Sequence, residues 1–213
     1  MLQLYSINSP NGIKVAAMLE EIGLTYEPHL INLWEGEQHA DEFRSISPNG
    51  KIPVIIDPDG PDGRAVTMME SGAILLYLAE KTGRLLPTDA MARNECLQWL
   101  FFQVGHIGPM FGQFEHFHRR GDNNALDPYA IERYRAESVR LLGVLEARLR
   151  DRSHIVGDTY TIADIAIFLW VSSMRRMQEE GLPVSDFPNV LRWHTACIDR
   201  PASKTGATVC AVP

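Results

Sequence analysis

The chain has 213 residues, 45% of them hydrophobic and 22% charged, ordinary proportions for a globular protein of one or two domains with a substantial core. Its net charge of −7, with no long run of either sign, argues against nucleic acid as a main partner but leaves room for a local basic pocket for a small anion. The longest apolar stretches, such as IADIAIFLWV, are too short to span a bilayer and contain Asp164, and the N-terminus lacks the charged and apolar regions of a signal segment, so a cytoplasmic location is expected. Cys96, Cys197 and Cys210 are odd in number, far apart and without metal-ligand spacing, so structural disulfides are not expected.

In chain order, LQLYS reads as a strand. Val15, Met18, Leu19 and Ile22 follow with helical spacing, and Gly23 stands where a helix-ending glycine belongs. TYEPHLINL reads as a second strand, placed at an edge or irregular position by Pro28. A short helix around ADEFRSI leads to SPNGKIPVIID, in which PVIID is a strand. PDGPDGR is a turn, and AVTMM is the returning strand. ESGAILLYLAEKTG closes this half as a helix with Ser71 near its start and Gly83 as its stop. The order is β-α-β-α-β-β-α, a domain over residues 1–84.

After RLLPTDA only helical patterns follow, giving an all-α domain over residues 91–213. Pro109 is expected to end or kink RNECLQWLFFQVGHIGPMFGQF. The next helix has Asp127 as N-cap and Pro128 in its first position, with Leu141, Leu142, Leu145 and Leu149 as one apolar stripe. Thr161 and Asp164 have capping-box spacing before a helix apolar on nearly every side, which belongs in a core. A last helix, NVLRWHTACIDR, is expected to stop at Pro201.

This architecture resembles the cytosolic glutathione transferase fold, a thioredoxin-like domain followed by a helical bundle. The segments SPNG, SPNGKIP, ESGAILLYLAEKTG, LQWLFFQVGHIGPMFGQ, YAIERY and YTIADIA resemble the bacterial Nu-class group, glutathione-dependent disulfide-bond oxidoreductases on that scaffold. The resemblance covers nearly the whole chain. It implies glutathione as co-substrate, a homodimer, and a disulfide or electrophilic small molecule as second substrate.

Glutathione carries two carboxylates, an amine and a thiol, and each needs a partner. The start of the ESG helix offers outward amides and a favourable dipole for the γ-glutamyl carboxylate at Ser71, with Glu70 meeting the ammonium; Ser71 as a plain N-cap is the alternative. The resemblance implies that Pro53 is cis, that Ile52 pairs with the cysteinyl backbone, and that Lys51 and Gln38 approach the glycyl carboxylate. From the residues alone, Pro53 could simply mark an edge strand, and Lys51 and Gln38 could be solvated. Arg133 is by its surroundings a surface ion-pair partner of Glu132 or Glu137, and by resemblance a residue that reaches the partner subunit's site. His116 and His118 of EHFHRR sit two apart on a helix, face different ways and lack a third ligand, so no metal is expected. By resemblance this stretch walls the second-substrate pocket; by composition it is core or interface.

The turn NSPNG contains no cysteine. Ser9 can donate an O–H, Asn11 can donate N–H groups, and both can hold and lower the pKa of a ligand thiol, which makes them the catalytic candidates. Gly12 is expected to make room for the sulfur. Nu-type turns commonly carry threonine at the position of Ser9, and serine preserves the hydroxyl. The expected activity is disulfide reduction through glutathione thiols, with weak peroxide reduction. The alternatives are conventional conjugation of electrophiles or, less expected, a non-catalytic adaptor.

Overall fold

The computed structural model describes residues 1–119, 127–178 and 181–212; Arg120 of EHFHRR lies outside them. Two compact units are present. Residues 1–86 form one together with the C-terminal residues from Asp199 onward, and Pro87–Ile198 forms the other.

In the first unit, β1 (Leu2–Ser6), α1 (Pro10–Ile22), β2 (Tyr26–Leu30), α2 (Asp41–Ile46), β3 (Val54–Asp57), β4 (Val66–Met69) and α3 (Ser71–Thr82) follow the order read from the sequence. The sheet order is β2-β1-β3-β4, with β1 parallel to β2 and antiparallel to β3, and β3 antiparallel to β4. Pro28 lies on the edge strand β2, where a missing ladder donor costs least. Alternation along β1 buries Leu2, Leu4 and Ser6 on one face. That face meets α1 at Gly12, where a Cβ would stand 2.1 Å from the Ile7 carbonyl oxygen and 2.3 Å from Ser6 Oγ. Tyr5, on the other face, shares a pocket with Phe43 and Ile46 of α2. At the end of β3 the Asp57 carboxylate accepts hydrogen bonds from Tyr77 (2.6 Å) and Lys81 (2.7 Å), tying the strand to α3.

The C-terminus corrects two expectations. The helix expected to stop at Pro201 does end before it, at Ile198, but it is not the last: Pro201 opens a further helix, α9 (Pro201–Gly206), because proline in the first turn forfeits only an amide that has no intrahelical acceptor. This segment belongs with the first unit rather than with the domain 91–213. Gly206 lies against the backbone of Ala16 and Ala17, where a Cβ would come within 2.6 Å of the Ala17 nitrogen. Arg200 forms an ion pair with Glu21, its Nη2 2.9 Å from Oε2, and the Asn8 amide N–H donates to the Cys210 carbonyl at 2.9 Å. The tail therefore covers α1 from behind the NSPNG turn.

The second unit contains α4 (Ala90–Phe102), α5 (Gly108–Arg119), α6 (Pro128–Leu149), α7 (Ile162–Arg176) and α8 (Pro188–Ile198). The break between α4 and α5 is a π turn, Gln103–Ile107, and Pro109 sits in the first turn of α5 rather than at the kink itself. Asp127 caps α6, accepting from the amides of Tyr129 and Ala130, and Leu141, Leu142, Leu145 and Leu149 are fully buried. Helix α7 is buried on almost every side. Asp164 at its start accepts from Thr161 N, Thr161 Oγ1, Ile155 N and the Trp193 indole, which satisfies a carboxylate placed in the core.

Candidate functional site on the thioredoxin-like unit

Three chain segments build the site. The first is the turn into α1. Ser9 is its N-cap: the extended backbone at φ −141° leaves Oγ to accept from the Gly12 amide at 3.3 Å, and Pro10 occupies the first helical position. Capping uses an Oγ lone pair and leaves the hydroxyl proton to donate. Gly12 is required for a different reason from the one expected, since Ile7 and Ser6 take up the space a side chain would need. Asn11, half-buried, faces the pocket described below.

The second segment is SPNGKIP. Buried Ser47 fixes the loop by accepting from Lys51 N (3.1 Å) and donating to the Lys51 carbonyl (2.8 Å). The Ile52–Pro53 bond is cis, and β3 begins directly after it. Gln38 lies beside this loop: its carbonyl oxygen is 3.2 Å from where a Cβ on Gly50 would stand. Its side-chain nitrogen is 3.2 Å from His39 Nε2, while its buried Oε1 has no hydrogen-bond partner among the described residues.

The third segment is ESG. The N-cap of α3 is Glu70, not Ser71, and its backbone is at φ 71°, ψ 108°, a conformation that costs a non-glycine residue about 1–3 kcal/mol. The Glu70 side chain makes no capping hydrogen bond, so the opening amides of a twelve-residue helix are available to an anion. Ser71 is the first helical residue. It is almost fully buried, and its Oγ accepts from Lys14 Nζ at 3.0 Å. Lys14 has no exposed surface. Burial, opposed by the nearby Glu70 carboxylate, pulls its ammonium down to about 7.

These segments converge on a pocket of about 160 Å³ lined by Asn11, Ser47, Asn49, Lys51, Ile52, Met69, Glu70 and Ser71. Of the residues anticipated from the sequence, Asn11, Lys51, Ile52, Glu70 and Ser71 are therefore brought together. Ser9, Gln38 and Pro53 flank the same segments without lining the pocket. Arg133 is on α6 of the other unit and lines a groove of about 680 Å³ with Met110, Tyr129 and Tyr134. Glu132 and Glu137 are engaged by Arg135 (2.9 Å) and Arg140 (2.7 Å). Lys14, Ser47, Asn49 and Met69 escaped the sequence reading. Lys14 carried the only available signal, a cation at a helical position between apolar neighbours.

The cysteines lie elsewhere: Cys96 and Cys197 are buried, and burial pushes the thiols of Cys96 and Cys210 up, away from the reactive thiolate. His118 packs its ring on Phe114 and His116 on Phe117, which stacks on Tyr134. Among the described residues, His154, Asp164 and Cys197 have atoms within 4.8 Å of one another, a spacing that could hold a metal ion. The donors already on Asp164 give that carboxylate a structural role. No helix of the described residues is long and apolar enough to cross a membrane.

A thioredoxin-like sheet unit with a cis-proline before β3 and a pocket at the α3 start, followed by a helical unit, defines a glutathione transferase. The chain belongs to the glutathione S-transferase family: the models for its N-terminal and C-terminal domains match residues 8–81 and 128–196. It is 44% identical over 204 residues to the disulfide-bond oxidoreductase YfcG of Escherichia coli strain K12, covering 95% of this chain and 93% of that protein. A glutathione transferase from Burkholderia graminis, crystallised with two glutathione molecules per subunit, superposes with a TM-score of 0.94. The two chains are 53% identical, over 97% of this chain and 87% of that one. A Pseudomonas putida glutathione transferase with one glutathione disulfide per subunit has a TM-score of 0.93 and 47% identity, over 97% and 90% of the chains.

Proposed function

We propose that the protein is a glutathione-dependent disulfide-bond reductase whose reacting sulfurs belong to glutathione rather than to the chain. The observation that carries this reading is the pocket that joins Asn11, Ile52 and Ser71 beside a cis-proline, with none of the three cysteines in its lining. The α3 amides and Ser71 hold the γ-glutamyl carboxylate, and Glu70 holds the ammonium. Ile52 pairs with the cysteinyl backbone, next to cis Pro53, and Lys51 with Gln38 takes the glycyl end. The thiol then meets Asn11 and the Ser9 hydroxyl, whose donors favour the thiolate.

That thiolate attacks a substrate disulfide. One new S–S bond forms, the old one breaks, and the leaving thiolate takes a proton. A second glutathione thiolate attacks the mixed disulfide at the glutathione sulfur. It releases the remaining substrate thiol and glutathione disulfide, so two glutathiones are oxidised for each disulfide reduced. The B. graminis and P. putida relatives, holding two glutathiones and one glutathione disulfide respectively, correspond to the reactants and product of this sequence and support it. No metal enters the scheme. A homodimer in which Arg133 reaches the partner's glutathione, in the cytoplasm, completes the reading.

A second reading, conjugation of electrophiles, is favoured by one feature: Ser9 keeps its hydroxyl proton while serving as N-cap. Paired kinetics with a small disulfide and an aryl halide separate the two. Disulfide turnover well above conjugation is expected, and rapid conjugation with undetectable disulfide turnover overturns the proposal. Replacing Cys96, Cys197 and Cys210 together with alanine is expected to leave disulfide turnover in place. Its loss in a folded variant would refute the cysteine-free mechanism. Failure to bind immobilised glutathione at all would instead indicate an adaptor.

A further inference from the structure

Ser47 lines the pocket, has no exposed surface and takes no part in the reaction described above. Its backbone already has two tasks. Its N–H donates to the Phe43 carbonyl at 2.9 Å, which ties it to the end of α2, and its carbonyl accepts from the Gly50 N–H at 2.7 Å, which closes the turn before β3. Phe43 is buried, and Gly50 stands at φ 62°, the left-handed conformation that glycine adopts at no steric cost. The turn is therefore anchored and closed without the serine side chain.

What the hydroxyl adds is a hold on one residue. It accepts from Lys51 N at 3.1 Å and donates to the Lys51 carbonyl at 2.8 Å. A residue whose N–H and C=O point to one side is extended, and a neighbouring strand ordinarily supplies both partners. Here a single side-chain oxygen stands in for that strand. Two consecutive peptide planes are fixed in consequence, one through the Lys51 N–H and the next through the Lys51 C=O. The second plane carries the Ile52 amide. The Lys51–Ile52 peptide is trans, so its N–H points opposite to its C=O, and a carbonyl held against Ser47 turns the Ile52 N–H away from Ser47. None of the bonds that hold the loop uses that N–H.

We infer that Ser47 positions the backbone clamp of the site: by holding both polar backbone groups of Lys51, it aims the Ile52 N–H at the cysteinyl residue of the ligand. Ser47 acts through the Lys51 peptide and reacts with nothing, so it is a positioning residue. This rests on the glutathione reading of the pocket, in which Ile52 pairs with the cysteinyl backbone. Such a clamp adds the ligand's backbone as a short strand, and it gains most when its donor is aimed before the ligand arrives. A loop free to turn the Lys51–Ile52 plane would have to be ordered on binding, at a cost in affinity. The Lys51 side chain leaves the same loop, so the cysteinyl and glycyl ends of the ligand must be told apart in the test.

Titration calorimetry with glutathione and with γ-glutamylcysteine, which lacks the glycine, does so. Ser47→Ala should bind both ligands roughly tenfold more weakly, because the cysteinyl residue is common to them. Ser47→Thr keeps the hydroxyl and should stay within about threefold of the wild type. In steady-state kinetics with a small disulfide, the KM of Ser47→Ala for glutathione should rise by the same factor while kcat stays within about twofold, a split that a loss of stability alone would not produce. Amide hydrogen exchange reads the clamp directly in the unmodified protein: saturating glutathione should slow exchange at Ile52. Full affinity in a folded Ser47→Ala variant overturns the inference, as does a loss confined to glutathione, which would assign Ser47 to the glycyl end. An equal loss in Ser47→Thr also overturns it, since packing rather than the hydroxyl would then be at work. Wild-type binding that leaves the Ile52 amide unprotected overturns the clamp and with it the role of Ser47. Absence of any wild-type binding overturns the glutathione reading itself.

Discussion

At the scale of single residues, the turn after β1 divides its labour. Ser9 has a structural task, capping α1 through Oγ, and in the proposed mechanism a chemical one, offering its proton to a ligand sulfur. Asn11 lines the pocket. Two substitutions separate these tasks. Glycine is only a few tenths of a kcal/mol worse than serine as an N-cap, so Ser9→Gly should keep nearly wild-type stability while deleting the hydroxyl, whereas Ser9→Ala should lose about 1 kcal/mol as well. Denaturant midpoints check the stabilities. Asn11→Ala should reduce kcat/KM for disulfide reduction at least tenfold, the value of one hydrogen bond to a charged group, and by more than Ser9→Gly does. Steady-state kinetics with a small disulfide give the comparison, and the reverse order would assign the thiol to Ser9. Glu70 belongs to the same scale. Its positive φ is a local cost at the residue proposed to hold the ligand's ammonium, and such strain is common at binding sites.

At the scale of elements, docking of α9 on α1 supports the turn from behind. Gly206→Leu must push the Ala16–Ala17 backbone aside, and a destabilisation of about 1–3 kcal/mol is expected from thermal or denaturant unfolding. The α7–α8 contact carries an acid sensitivity. His194, buried on α8, lies 2.7 Å from Ser172 Oγ and 3.1 Å from the Arg175 guanidinium. Burial first, then the Arg175 charge, pulls its pKa down to about 4. The unfolded histidine protonates near 6.5, so stability is full above that pH and falls between about 6.5 and 4, by on the order of 3 kcal/mol. His194→Leu should flatten that part of the pH–stability curve measured by denaturant unfolding. Asp57 acts in the same sense. Burial raises its carboxyl, but the hydrogen bonds from Lys81 and Tyr77 outweigh this and hold it below the usual carboxylate range, so its contribution is lost as the pH falls.

At the scale of the whole molecule, binding and stability are linked. A ligand that binds only the folded chain stabilises it by about 2.7 kcal/mol at a hundredfold excess over Kd, so millimolar glutathione should raise the melting temperature by several degrees. A thermal shift series in glutathione checks this, and the rise should be smaller in Glu70→Ala.

The element order was legible in the chain because periodicity, Asp127 with Pro128, Gly23 and Gly83 are local signals, read over one or two turns. Asn11, Lys51, Ile52, Glu70 and Ser71 were legible through the motifs that contain them, since each motif forms one short wall of the pocket. Other features were decided only by residues far apart in sequence. Lys14 reads as an ordinary helical lysine until Ser71, fifty-seven positions away, is set over its ammonium. Gly12 reads as space for a ligand until Ile7 and Ser6 are seen to fill it. Pro201 reads as the end of the last helix until α9 is seen to start there and turn back onto α1. Sequence alone determined most of the elements and many of their ends, because those are governed by local hydrogen bonding and apolar spacing. Tertiary structure decided what stands beneath and behind the site, because burial and charge pairing depend on which distant side chains the packed core brings together.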